Sequence, residues 1–252
     1  MNHYALKISY DGGAFGGWQS QSDGRGVQDA LERALGALGE RVRVCGAGRT
    51  DAGVHARAQV ASLALEKKWE PRRLVLALNA HLPAGVSVLR AAEATAAFHA
   101  RRSAVCREYR YFIWNASACC PHIKPYVRLL PGKYDWSAAA EAAKALEGTH
   151  DFRAFCRKED CPENTVRSVS RARLTRRGNL VVFRIEANAF LTNMIRIAAG
   201  NLIEIAKGKR DAAWLTGLLS GGLDRTASAA TTSPSGLFFW RVRYPFRLEW
   251  QP

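Results

Sequence analysis

Residues 171–187 place the firmest limit on the fold. Arg171 to Arg177 and Leu180 to Ala187 read as two strands. They meet at Arg177-Gly178-Asn179, a connection short enough to force a hairpin. A hairpin pairs its strands antiparallel, so the chain must carry antiparallel sheet. Tyr4, Leu6, Ile8 and Tyr10 alternate with smaller or polar residues, the period of a half-buried strand, and stop at Asp11-Gly12-Gly13, a turn sequence. Arg41 to Val44, Gln59 to Leu65, Glu108 to Trp114 and Leu237 to Tyr244 also read as strands. Helical periods lie between them. Val27, Ala30, Leu31, Ala34, Leu35 and Leu38 share one helical face, and Gly39 supplies a stop. Pro71 to Leu78 is a short helix. Asp135 caps an alanine-rich helix to Leu146, with Gly148 beyond its end. Phe190 to Ala206 and Asp211 to Leu219 complete the set. Strands and helices mixed in this order predict an α+β fold, with helices covering one face of a mainly antiparallel sheet. A second half begins near Arg102, so the halves are drawn at 1–104 and 105–252.

Charge narrows the partners. Thirty-seven Lys and Arg stand against 22 Asp and Glu in 252 residues, a net charge of +15. Such an excess repels itself in a compact state unless a polyanion offsets it. Nucleic acid is the leading candidate, an anionic membrane surface the next, and a basic protein without such a partner the third reading. No apolar run approaches the ~20 residues that span a bilayer. Met1 to Tyr10 carries Lys7 and lacks the apolar core of a signal peptide, so a cytoplasmic location is expected. The six cysteines are irregularly spaced and are expected to stay reduced. Cys119-Cys120-Pro121-His122 with Cys156 and Cys161 is the nearest approach to a zinc set. Adjacent cysteines make poor co-ligands for one tetrahedral ion, so no metal is assigned.

Three segments carry chemistry. Gly46-Ala47-Gly48-Arg49-Thr50-Asp51-Ala52-Gly53-Val54-His55-Ala56 joins two expected strands and sets one cation and one carboxylate among glycines. It reads either as a structural turn with Thr50 and Asp51 capping local amides, or as a catalytic loop. Arg196 favours the second reading. It is the only charged residue between Ala187 and Ile203, on a segment apolar nearly all round. A buried guanidinium needs a partner. Asp51 from a loop would serve, and the cation would hold that carboxyl ionised, as a nucleophile or base requires. The alternative is that Arg196 reaches solvent or caps carbonyls. Tyr109 and Tyr111 fall on one face of a strand and Arg110 on the other. This interleaving suits stacking on unstacked bases and equally suits ordinary strand core. Phe98-His99-Ala100-Arg101-Arg102-Ser103 suits phosphate contacts. His99 reads as an RNA-backbone or capping group in preference to a general base. Arg167, Arg171, Arg173, Arg176 and Arg177 form a basic run, a solvated face or an RNA-facing one.

Over nearly its full length the sequence resembles the bacterial tRNA pseudouridine synthase A family. The resemblance rests on an ordered set of motifs. These are Ile8-Ser9-Tyr10-Asp11-Gly12 with Phe15-Gly16-Gly17-Trp18-Gln19, then Gly48 to Ala56, Phe98-His99-Ala100-Arg101 and Tyr109-Arg110-Tyr111. Asp151-Phe152 with Phe155, Thr165 with Arg167, and Ala187-Asn188-Ala189-Phe190 with Met194-Ile195-Arg196 follow. Asp224-Arg225-Thr226, Gly236-Leu237 and Tyr244-Pro245 close the set. The resemblance implies conversion of uridine to pseudouridine at positions 38, 39 and 40 in the anticodon stem-loop of tRNA. It implies Asp51 as the catalytic aspartate, Tyr109 stacked on the target uracil, Arg196 paired with Asp51, and Arg49 displacing or holding the flipped nucleotide. His55, His99, Arg101, Arg102 and Arg167 become candidate RNA contacts. It further implies two RRM-like, ferredoxin-like halves, a basic cleft, a homodimer and no cofactor. Three positions depart from the family pattern: Ile197 after Arg196, Glu108 where a basic residue is common, and the acidic stretch Glu159 to Glu163.

The implied reaction is an isomerisation and needs no redox partner or energy donor, in keeping with a sequence that lacks a Walker loop. The uridine must leave its stack, which costs a few kcal/mol. Two rivals are a non-catalytic RNA-binding protein, which has no use for Asp51, and a zinc-dependent nucleobase enzyme, whose H-x-E and P-C-x-x-C motifs are missing.

Overall fold

The computed structural model describes residues 1–252, the side chain of Lys158 excepted. The chain forms two compact units: Met1–Arg107 together with Phe238–Pro252, and Glu108–Leu237.

The first unit opens with β1 (Asn2–Tyr10), α1 (Val27–Ala37), β2 (Cys45–Gly46), β3 (His55–Leu65), α2 (Pro71–His81) and β4 (Val86–Ala94). β1 is the inner strand and pairs antiparallel with both β3 and β4, Leu6 facing Ala61 on one side and Ala91 on the other. Its alternation is the expected one: Leu6 and Ile8 are fully buried while Lys7 and Ser9 are half-exposed. α1 buries Val27, Ala30, Leu31, Ala34 and Leu35, the face read from the sequence. Asp29 accepts from the Gly26 amide at 2.8 Å and so satisfies a donor at the open N-terminus. α2 starts with Pro71, whose fixed φ suits a first turn, and Glu70 caps the Arg72 amide.

One expected strand is nearly absent. Residues 41–44 are irregular, and only Cys45 and Gly46 pair, with Ser62 and Ala61 of β3. The reason is local: the Val44 amide donates to Glu32 Oε1 on α1 at 2.9 Å, so it is unavailable to a ladder.

The second unit holds most of β5 (Cys106–Trp114), β6 (Arg128–Leu129), α3 (Trp136–Ala143), β7 (Gly148–Asp151), β8 (Val166–Arg177), β9 (Leu180–Ala187), α4 (Met194–Ala206) and α5 (Ala212–Leu218). Its strand order is β5-β9-β8-β7, with β6 beside β5. The hairpin forms as expected, Arg177 facing Leu180 and Arg173 facing Arg184. Asp135 caps α3 by accepting from the Ser137 and Ala138 amides. α4 buries eleven of its thirteen residues and packs against α3. It starts at Met194, not Phe190, because Asn193 takes a left-handed conformation, φ 62°, that no helix continues through.

The last strand, β10 (Leu237–Arg243), returns to the first unit. Phe238 and Phe239 pair parallel with His55 and Ala56, and Gln251 bridges to Ala91. A single cut at 104/105 leaves out this return, which no local pattern announces. The fold is mixed α+β with mostly antiparallel pairing and five α-helices among the described residues. Among those residues no helix is long and apolar enough to cross a membrane.

Candidate active site

The glycine-flanked segment between β2 and β3 is an anchored loop. Thr50 is buried, and its hydroxyl lies 2.8 Å from the Tyr10 phenol oxygen. Its carbonyl accepts from the Trp18 amide at 3.0 Å. Burial pushes the Tyr10 phenol up to about 12, so it stays neutral at the base of the loop. Gly17 lies against the same backbone with φ 108°. A Cβ there would sit 2.8 Å from the Thr50 carbonyl oxygen, so only glycine fits. Asp51 follows Thr50 and is half-buried. Its carbonyl accepts from the Val54 amide at 3.1 Å, closing a tight turn into β3.

The stem of the loop is held from within the fold. Gln59, fully buried on β3, donates to the Gly48 carbonyl at 2.7 Å. Arg107, 8% exposed, donates to the Ala47 carbonyl through Nε and Nη2, at 3.2 and 3.1 Å. Arg49 is exposed. His55 is buried and is placed as a fixture of the loop, not as a surface contact. Its ring stacks on Phe238, and its Nδ1 lies 3.0 Å from the Gly12 amide and 3.1 Å from Asp11 Oδ1. One nitrogen cannot accept from Gly12 and donate to Asp11 together; the amide hydrogen is fixed by the backbone, so the Gly12 bond sets the tautomer.

His99, Arg101 and Arg102 share a turn in the same unit. His99 Nδ1 accepts from the Arg101 and Arg102 amides at 3.2 and 3.3 Å, and Ser103 Oγ accepts from the His99 amide. This leaves Nε2 to carry the hydrogen, 3.5 Å from Cys45 Sγ. Burial, and then the nearby Arg102 and Arg101, hold the imidazole below its ordinary range. His99 is thus a capping group, one of the two roles read from the sequence. The Arg101 and Arg102 side chains are exposed.

Tyr109, Arg196 and Arg167 belong to the second unit. Tyr109 is 6% exposed and meets Phe190 edge-on, centroids 5.1 Å apart. Arg196 is half-buried in the first turn of α4, not deep in a helix. Its Nε donates to the Thr232 carbonyl at 2.9 Å and its Nη1 to Asn193 Oδ1 at 2.6 Å. Carbonyl capping is therefore part of what Arg196 does. α4 holds the 228–233 strap further along: Asn201 Oδ1 accepts from the Ala229 amide, and the Ala230 carbonyl passes 2.4 Å from where a Cβ of Gly200 would be. Arg167 donates to the carbonyls of Asn164 and Val166. Glu108, one of the three positions read as departures in the sequence, is buried and paired with Arg110 and Arg184 at 2.8 and 3.2 Å. Exposed Glu159 lies 3.6 Å from Arg157. Among the described residues no three His, Cys, Asp or Glu side chains gather in a metal-binding group.

Within the first unit the structure joins the opening motif, Tyr10 to Trp18, to the Asp51 loop, two segments that the sequence presents only in order. Sequence reading missed Gln59, Arg107 and Asn201. Gln59 and Asn201 are buried polar side chains in apolar runs, and that placement was the available signal, whereas Arg107 stands beside Glu108 in a charged, aromatic stretch that gives none.

The tRNA pseudouridine synthase family matches residues 7–101 and 142–245. The chain belongs to the tRNA pseudouridine synthase family. A tRNA pseudouridine synthase A of Geobacillus kaustophilus is 40% identical over 94% of this chain and 92% of its own length. The protein of that name from Sinorhizobium medicae is 42% identical over 97% of this chain and 100% of its own. That of Ralstonia nicotianae is 42% identical over 100% and 94%. The chain is an enzyme of this family, an isomerase acting on tRNA.

Proposed function

We propose that this enzyme converts uridine to pseudouridine at positions 38, 39 and 40 of the tRNA anticodon stem-loop, with Asp51 acting on a uridine flipped out of its stack. The observation that carries the reading is the anchored backbone on both sides of a half-buried Asp51. A reacting carboxylate needs that fixed placement more than it needs any further group.

The reaction breaks the N1–C1′ bond and makes a C5–C1′ bond. C5 gives up its proton and N1 gains one, so atoms balance without a cofactor. Asp51 acts on the ribose or the base. Tyr109, set edge-on by Phe190, stacks on the uracil, and stacking worth ~1–3 kcal/mol per base offsets part of the flipping cost. Arg196 supplies the counter-charge to Asp51, and Arg49 holds the displaced nucleotide. Arg101, Arg102 and Arg167 contact the RNA backbone, with His99 shaping their turn and His55 acting through the loop. The fold is built of RRM-like halves with a basic RNA-binding surface, and the enzyme works as a homodimer in the cytoplasm.

Unmodified tRNA incubated with wild type and with Asp51→Asn, then mapped for pseudouridine, tests the reading. The variant should fold, bind tRNA and lose at least ~10³-fold in kcat. Turnover near the wild-type rate removes Asp51 from the reaction, and product outside positions 38–40 overturns the site reading.

A further inference from the structure

Arg107 has no part in the reading above, yet its guanidinium is one of the most committed groups in the first unit. It is 8% exposed. Besides the two bonds to the Ala47 carbonyl it donates through Nη1 to the Ala104 carbonyl at 3.1 Å and through Nη2 to the Arg101 carbonyl. Ala47 is sixty residues away in sequence and stands four residues before Asp51. Arg101 lies in the turn whose exposed arginines face solvent. One rigid fork thus spans the stem of the Asp51 loop and the 98–104 turn.

We infer that Arg107 is a positioning residue for the isomerisation, fixing the Asp51 loop against the Arg101–Arg102 turn so that RNA held by the turn is presented to the carboxylate in one register. The assignment rests on the reading of Asp51 given above. Three features carry it. Ala47 is 1% exposed, so its carbonyl has little access to water if the guanidinium leaves. All three guanidinium nitrogens are used, Nε and Nη2 on Ala47, Nη1 on Ala104 and Nη2 on Arg101, a set that a planar five-donor fork meets and a lysine ammonium, a single point on a flexible stem, does not. The other side of the stem is already fixed, by Gln59 on Gly48 and by the Ala47 amide on the Val60 carbonyl. Arg107 therefore sets the remaining freedom of the stem, its position relative to the turn.

The test compares full-length wild type, Arg107→Lys and Asp51→Asn in kcat and KM on unmodified tRNA, thermal midpoint, and amide hydrogen exchange across residues 46–54. Arg107→Lys should stay folded, lose at least ~10-fold in kcat with KM within ~2-fold, and exchange faster in that loop. A folded Arg107→Lys with wild-type kcat overturns the assignment, as does a change confined to KM. If the lysine variant does not fold, Arg107→Gln, which keeps an amide donor, is measured in its place. Failure of both to fold makes Arg107 a structural residue and overturns the inference. Asp51→Asn separates the two readings. If it is active, the carboxylate reading falls, while the exchange of the loop in the Arg107 variant still reports whether the fork holds it.

Discussion

Asp51 is presented by other residues, whereas Arg196 does part of its own holding. Around Asp51 the bonds run from Trp18, Gln59 and Arg107 to main-chain carbonyls, and the hydroxyls of Tyr10 and Thr50, the residue before it, bond to each other. At the start of α4 the guanidinium of Arg196 itself bonds Thr232 and Asn193 and so tethers the 228–233 strap. In a loop built the first way the backbone keeps these bonds when the central carboxylate becomes an amide. A turn built the second way loses its bonds with its side chain. The comparison teaches how to read variants: loss of activity at residue 51 reports chemistry, and loss at residue 196 reports chemistry and structure together.

The largest expected effect tests that difference directly. Arg196→Ala should abolish activity and also lower stability by about 2–3 kcal/mol, since two charge-assisted hydrogen bonds and the strap anchor go at once. Asp51→Asn should show the same activity loss with a thermal midpoint within ~2 °C of wild type. Equal midpoints for the two variants, read by calorimetry, would erase the distinction. Gly17→Ala comes next. Its Cβ would press on the Thr50 carbonyl at 2.8 Å and its φ of 108° is strained for any side chain. A stability cost of about 2–3 kcal/mol is expected, together with a fall in kcat, although residue 17 bears no reactive group. Full activity in Gly17→Ala would mean that the loop is not placed from outside itself.

Legibility in the sequence followed the range of the forces. The 171–187 hairpin and the buried face of α1 were readable because a short connection and a 3.6-residue period are both local. The Asp51 loop was readable because three glycines around an Arg-Thr-Asp are rare enough to notice. The strand expected at 41–44 was misread because a carboxylate twelve residues earlier takes the Val44 amide. The start of α4 was placed four residues early because asparagine tolerates left-handed φ and nothing in the apolar pattern marks that it does so here. Arg107, one residue before the strand read from Glu108 to Trp114, was given no role of its own. Periodicity assigns a side chain to a face, but it does not say which carbonyl, sixty residues away, that side chain will meet. The return of β10 to β3 was hidden for the same reason.

The smallest effect concerns pH and sharpens the contrast on the side of the first unit. His99 holds its turn as a neutral acceptor, and its imidazole lies below the ordinary 6.5 because of burial and the adjacent arginines. Between that lowered value and 6.5 the unfolded chain binds the extra proton and the folded one does not, so stability rises with pH across this window. The contribution is fully present above 6.5 and is lost as pH falls through the folded value. Protonation puts a hydrogen on Nδ1 and turns two accepted bonds into a clash with the Arg101 and Arg102 amides. Lowering pH from 6.5 through that lowered value should therefore reduce the thermal midpoint and weaken tRNA binding through this turn. In His99→Asn, whose amide oxygen can accept but does not titrate, that part of the pH dependence should vanish. An unchanged acid slope in the variant would show that the turn is held by the Ser103 and Arg107 contacts alone, and that the first unit owes nothing to a titrating group here.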